Sequence, residues 1–209
     1  MDRRLLLLSG FAAAVASPVL AQDEALPPPP PAPYPPPPPP PPGYAPAPAP
    51  TYSDDELVTR VSDFMGVTAE SAGAAIERAF KDNGRPTGYV AGEEGSAAFV
   101  VGLRYGKGLL YMKNRQPETV YWQGPSVGFD AGGNASRVFV LCYNLQYPDA
   151  VYRRFPGVEG SAYLIGGMGV NYQRADGVTL APMRAGLGLR LGANIGYLAY
   201  SRHRNIIPL

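Results

Sequence analysis

Residues 136–145 read Ser136-Arg137-Val138-Phe139-Val140-Leu141-Cys142-Tyr143-Asn144-Leu145, and both parities of this run are apolar. Phe139, Leu141, Tyr143 and Leu145 fall on one face of a strand, and Val138, Val140 and Cys142 on the other. A strand with one wetted face alternates apolar and polar, so a run oily on both parities is covered on both sides. One face can line the interior of a barrel. The other needs a separate layer above it.

The segment that supplies that layer lies upstream. Ser53-Asp54-Asp55-Glu56 is a capping box, in which the serine accepts from the backbone three residues on and Glu56 reaches back. Leu57, Val58, Val61, Phe64 and Met65 follow at helical spacing, and Gly66 interrupts. A second helix is predicted from about Thr68 to Asp82, with Ala72, Ala75, Ile76, Ala79 and Phe80 as its apolar stripe. Asn83-Gly84 is predicted to end it in a left-handed cap, with Pro86 just beyond. Two short amphipathic helices of this kind need a surface to cover.

From Gly88 to Gly196 the chain holds 20 glycines in 109 residues, interleaved with aromatic and β-branched runs, a pattern of many strands, turns and bulges. Between Ala181 and Ala199 the odd positions are oily, while the even positions from Arg184 to Gly196 are glycine, arginine or asparagine. This period-two run is too long for one strand, and Gly192 to Asn194 is a candidate bend. Gly102, Arg104, Gly106 and Gly108 repeat the pattern earlier. Such glycine rows permit tight curvature or close approach of another backbone. The fold expected is mainly β with two short N-terminal helices (α+β): a small antiparallel β-barrel or strongly curved sheet, covered on one side by the helices. It occupies 53–209, enough residues for one sizeable core.

The first 52 residues are of another kind. Arg3 and Arg4, the apolar run from Leu5 to Val15, and Val19-Leu20-Ala21 before Gln22 are the three parts of a secretory signal, with cleavage expected between Ala21 and Gln22. The apolar run is shorter than the roughly 20 residues that span a bilayer. No cysteine follows the cleavage site, which excludes lipid attachment there, so release into an extracytoplasmic space is expected. Residues 22–52 are a spacer: 17 of the 24 residues from Pro27 to Pro50 are proline, which supports neither helix nor sheet ladder. An extended polyproline II rod of about 75 Å follows from roughly 3.1 Å per residue. It is a stiff spacer or a docking ligand for an aromatic-lined groove.

Composition narrows the functions. Removing residues 1–21 leaves 16 basic and 16 acidic residues, a neutral chain without the positive footprint that nucleic acid needs. Cys142 is the only cysteine and His203 the only histidine, which argues against zinc and haem; no cofactor is expected. Gly124-Pro125-Ser126-Val127-Gly128 matches the G-x-S-x-G nucleophile elbow. That motif needs a strand-to-helix turn and a histidine partner, and turn geometry explains the match better. Glu93-Glu94, Asp130, Asp149, Glu159 and Asp176 all sit beside glycine, proline, another carboxylate or a turn, and read as solvated loop acids rather than a glycosidase pair. Asn134-Ala135-Ser136 fits a glycosylation sequon that has no use in bacteria. Cys142 reads as a small buried hydrophobe. Tyr121 and Trp122 are either a core plug or an amphipathic edge at a lipid-facing mouth.

Arg104, Arg184 and Arg190 are the candidate anion ligands, because they share strand parity with glycines that leave backbone amides approachable. The competing account pairs each arginine with a nearby acid such as Asp130 or Glu159 to close the barrel. An outer-membrane barrel is disfavoured by the two-sided burial of 136–145.

Three stretches carry a resemblance: Val120-Tyr121-Trp122-Gln123-Gly124-Pro125-Ser126-Val127-Gly128-Phe129-Asp130, Arg153-Arg154-Phe155-Pro156-Gly157-Val158-Glu159-Gly160-Ser161, and Arg190-Leu191-Gly192-Ala193-Asn194-Ile195-Gly196-Tyr197. They resemble the alphaproteobacterial envelope family that includes envelope integrity protein A, over roughly residues 53–209. Gly102 to Leu110 and Trp122 to Pro125 are in turn similar to the SYLF lipid-binding domain. The resemblance implies a periplasmic protein needed for envelope integrity, built on a small β-barrel, with no known enzymatic activity and no catalytic residues to transfer. The second similarity implies a lipid or other apolar ligand. The alternative is a structural scaffold that engages an envelope protein or peptidoglycan through the proline-rich rod, a tract that departs from what the family needs.

Overall fold

The computed structural model describes residues 48–130, 136–185 and 196–205, the side chains of 96–102 and 126–130 excepted. The predicted signal and its cleavage site at Ala21 and Gln22, almost all of the rod, Arg190, the bend at 192–194 and the Asn134 sequon lie outside the described residues.

The two helices form where the capping signals put them. Helix α1 spans Asp54–Met65 and α2 spans Ala69–Asn83. Ser53 Oγ accepts from the Glu56 amide at 3.4 Å and Glu56 Oε2 accepts from the Ser53 amide at 2.9 Å, completing the capping box. That amide, then Lys113 Nζ at 3.0 Å, pull the Glu56 carboxyl down to about 2. Gly66 ends α1 in the left-handed conformation. Gly84 also has positive φ, but its ψ of −154° lies outside the left-handed helical region expected there.

Nine strands make one antiparallel sheet: β1 Gly88–Met112, β2 Glu118–Asp130, β3 Ser136–Tyr143, β4 Arg154–Pro156, β5 Tyr163–Ile165, β6 Met168–Val170, β7 Gln173–Ala175, β8 Val178–Ala185 and β9 Tyr197–Ser201. The spatial order is β4-β9-β2-β1-β3-β8-β6-β5, and β7 pairs with the first part of β8. A bridge between Gly157 and Gln173, with the Val158 amide donating to the Tyr172 carbonyl at 2.9 Å, brings the β4 end against β7 and curls the sheet into a barrel.

Strand β1 makes the curl possible. Its first part, from Gly88 to Glu94, pairs with β3, and its second, from Ala98 to Leu110, pairs with β2. The two parts meet across the interior, where a Cβ on Gly92 would lie 2.6 Å from Gly108 Cα; one on Gly106 would overlap the ring of Trp122, its partner on β2. Only residues without a side chain allow this approach.

Strand β3 is covered on both sides, as its sequence predicts. Phe139, Leu141 and Tyr143 pack with Leu57, Val61, Ala72, Ala75, Ile76 and Ala79 of the helices. Val138, Val140 and Cys142 face the barrel interior with Leu110, Trp122, Phe155, Leu180, Leu198 and Tyr200. Each large apolar side chain so buried contributes about 1.5–3 kcal/mol. Two details differ from the sequence reading. Leu145 joins the interior rather than the helix side, because Asn144 leaves the strand with φ of 59°. In β9 the buried residues are the even Leu198 and Tyr200, so the oily odd face does not run unbroken to Ala199.

Candidate functional site

The barrel interior holds a carboxylate that sequence reasoning assigns to a solvated loop. Glu94 shares the parity of Val90 and Gly92 on β1, and that parity points inward. It is 6 % exposed, whereas its neighbour Glu93 is exposed. Arg184 of β8 donates to it twice, from Nε to Oε1 at 2.9 Å and from Nη2 to Oε2 at 3.1 Å. Arg104 Nε lies 3.2 Å from Oε1, and Trp122 Nε1 donates to Oε2 at 2.9 Å. Burial alone would push this carboxyl up. The charges of Arg184 and Arg104, with the hydrogen bonds from Arg184 and Trp122, outweigh it and hold the group below the usual carboxylate range.

Three of the residues singled out from sequence, Arg104, Arg184 and Trp122, therefore converge on Glu94. Arg184 is also tied to Asn171 Oδ1 at 3.1 Å. The acid that both arginines meet is Glu94; Glu159 is exposed, and the side chain of Asp130 lies outside the described residues. Buried pairs of this kind fix geometry, because removing one partner strands the other charge.

Tyr121 goes elsewhere. Adjacent strand residues face opposite sides, so Trp122 enters the barrel and Tyr121 stays on the outer surface. There it lines a cleft of about 390 Å³ with Glu93, Tyr105, Lys107, Gln123 and Arg204, and Trp122 also contributes to its wall. Lys107 is directly opposite Tyr121 in the β1–β2 register, and its Nζ lies 5.8 Å from the ring centroid. The lining combines two phenol rings, two cations and one carboxylate. Rings of this kind pack against apolar surface while their hydroxyls reach water, and Lys107 and Arg204 suit an anionic group. Lys107, Tyr105 and Arg204 escape a sequence reading because the C-terminal segment reaches them only in three dimensions. The opposition of Lys107 and Tyr121 would follow from pairing the two glycine-rich runs.

The remaining motifs fall into the framework. Gly124-Pro125-Ser126-Val127-Gly128 lies within β2, paired to β1 from Arg104 to Val100. It is therefore neither the expected turn nor the strand-to-helix elbow of the hydrolase motif. His203 is exposed near the C-terminus. Cys142 is fully buried, and burial pushes its thiol far above its ordinary range.

A family profile described as envelope integrity protein A matches residues 50–209. The chain belongs to the envelope integrity protein A family. It is also similar to a crystal structure from Brucella abortus titled as a beta-barrel-like, uncharacterized protein. The identity is 46 %, the TM-score is 0.70, and the match covers 76 % of this chain and 99 % of that one. A search of curated proteins returns no match. The matched residues include both helices, the barrel, the Glu94 cluster and the Tyr121 cleft. The envelope integrity family name connects the chain with the cell envelope.

Proposed function

We propose that this protein is a periplasmic, non-enzymatic module that supports envelope integrity by binding lipid, or another amphipathic envelope component, on the outside of its barrel. The observation that carries the reading is the cleft between β1, β2 and the C-terminal segment. It offers phenol rings for apolar surface beside Lys107 and Arg204 for an anionic head. The described barrel interior argues against a ligand held within it. Trp122, Leu110, Val140, Phe155 and Leu198 are each no more than 2 % exposed there, and the arginines are engaged with Glu94. Arg104 and Arg184 thus act as framework, and Tyr121 is the residue from the sequence reading that meets ligand.

The test is uptake of labelled short-chain phosphatidylglycerol by delipidated protein of residues 22–209, with folding checked by circular dichroism. Saturable binding weakened by Lys107→Gln supports the reading. A folded protein that takes up no phospholipid contradicts it, and would leave the scaffold role through the proline-rich tract as the better account.

A further inference from the structure

The outer cleft sets one acid among its cations. Gly92 packs against the backbone of Lys107 and Gly108, so Glu93 leaves β1 beside Lys107. Both side chains are exposed, and both line the cleft together with Arg204, Tyr105 and Tyr121. Among the described residues, no ion pair joins Glu93 to Lys107 or to Arg204. Arg137, directly opposite Glu93 in the β1–β3 register, donates instead to the Phe64 carbonyl at 3.0 Å. Lys107 holds its ammonium over the Tyr121 ring rather than on a carboxylate. Three charged ends therefore line one hollow with no ion pair among them.

We infer that the cleft recognises a zwitterionic phosphate–ammonium head, the phosphoethanolamine group of an aminophospholipid, with Lys107 and Arg204 on the phosphate and Glu93 on the ammonium. The two charges of such a head are joined by a short carbon link, and the cleft gathers both kinds of partner within a single volume of about 390 Å³. The guanidinium of Arg204 presents a planar fork to phosphate oxygens, and Lys107 adds a point charge. A primary ammonium is a pure hydrogen-bond donor and a carboxylate a pure acceptor, so Glu93 complements it with charge-assisted bonds, which are stronger than neutral ones. A purely anionic head, such as phosphatidylglycerol, leaves Glu93 without a partner and places a like charge beside it. An unpaired or repelled charge is one way in which a site rejects the wrong ligand. The rings of Tyr105 and Tyr121 remain for the apolar part of the lipid next to the head.

The inference rests on the lipid-binding reading and names its headgroup. The test is titration calorimetry of the 22–209 protein with monomeric dihexanoyl phosphatidylethanolamine, phosphatidylcholine and phosphatidylglycerol. Phosphatidylethanolamine should bind about fivefold more tightly than phosphatidylglycerol, the effect of one favourable charge pair open to water. Glu93→Gln should abolish that difference, mainly by weakening phosphatidylethanolamine, with the melting curve kept. Phosphatidylcholine, whose quaternary ammonium has no N–H to donate, should bind more weakly than phosphatidylethanolamine. Phosphatidylglycerol bound as tightly as phosphatidylethanolamine, or an order that Glu93→Gln leaves unchanged, overturns the headgroup assignment while the lipid reading stands. Equal binding of phosphatidylcholine and phosphatidylethanolamine does the same, because Glu93 would then not be reading an N–H. A folded protein that binds none of the three overturns both.

Discussion

Arg184 and Glu94, 90 residues apart in sequence, meet inside the barrel as a two-point pair, with Nε to Oε1 at 2.9 Å and Nη2 to Oε2 at 3.1 Å. Arg184 belongs to β8 and Glu94 to β1, and β3 lies between them in the sheet. The pair therefore links two strands that share no ladder.

Arg184→Gln strands the Glu94 carboxylate in the interior, and the expected cost is about 3–5 kcal/mol of stability. Urea unfolding followed by circular dichroism measures it. Glu94→Gln combined with Arg184→Gln should recover part of the loss, because the two residues act as a unit. An Arg184→Gln protein with unchanged stability would mean that the pair contributes nothing to the fold.

The same carboxylate sets an acid limb. Its folded-state pKa lies below the unfolded value, so the folded state binds fewer protons than the unfolded one. Its contribution is complete above the unfolded carboxylate range, near 4.3, and is lost as pH falls through the lower folded value. Melting temperatures of the parent and of Glu94→Gln, taken from pH 7 down to pH 3, should converge towards the acid end. Parallel curves would exclude Glu94 as a source of the acid limb.

Gly92→Ala and Gly106→Ala each place a methyl where a backbone or the Trp122 ring already sits. Overpacking of this kind costs about 1–3 kcal/mol. Gly95→Ala, with nothing within 4 Å of the added carbon, is the control and should be close to silent. Equal effects at all three positions would show that the curl of β1 does not depend on the missing side chains.

Gly73 lies within α2, and its added Cβ would meet nothing within 4 Å. Alanine there should raise stability by about 0.5–1 kcal/mol, the backbone-entropy difference between the two residues in a helix. A thermal melt of Gly73→Ala decides this, and a lower melting temperature would point to contacts that the α2 surface does not show.

Much of the architecture was legible because it rests on local signals. The capping box at Ser53–Glu56 and the two apolar stripes determine the helices, and the doubly apolar run at Val138–Tyr143 determines a strand between two layers. Glu94 was not legible, since Glu93-Glu94-Gly95 has the composition of a turn and nothing nearby in sequence announces the two arginines. The buried face of β9 escapes the sequence for a related reason. A parity count carried from Ala181 to Ala199 assumes an unbroken strand, whereas β8, buried on both parities from Val178 to Met183, and β9, which buries Leu198 and Tyr200, are separate strands. Tyr121 stands beside Trp122 in the sequence, yet the cleft it lines depends on Lys107, Tyr105 and Arg204, gathered from two strands and the C-terminal segment.

The most direct test of a lipid-binding envelope protein is mass spectrometry of what co-purifies with the chain from its native envelope, beside a Lys107→Gln, Tyr121→Ala variant handled identically. Glu94 is held by Arg184, Arg104 and Trp122 rather than by Lys107 or Tyr121, so both proteins should melt alike. The account predicts a phospholipid retained by the parent at about one molecule per chain, the capacity of one cleft, and lost from the variant. Equal lipid in both, or none in either, would contradict it.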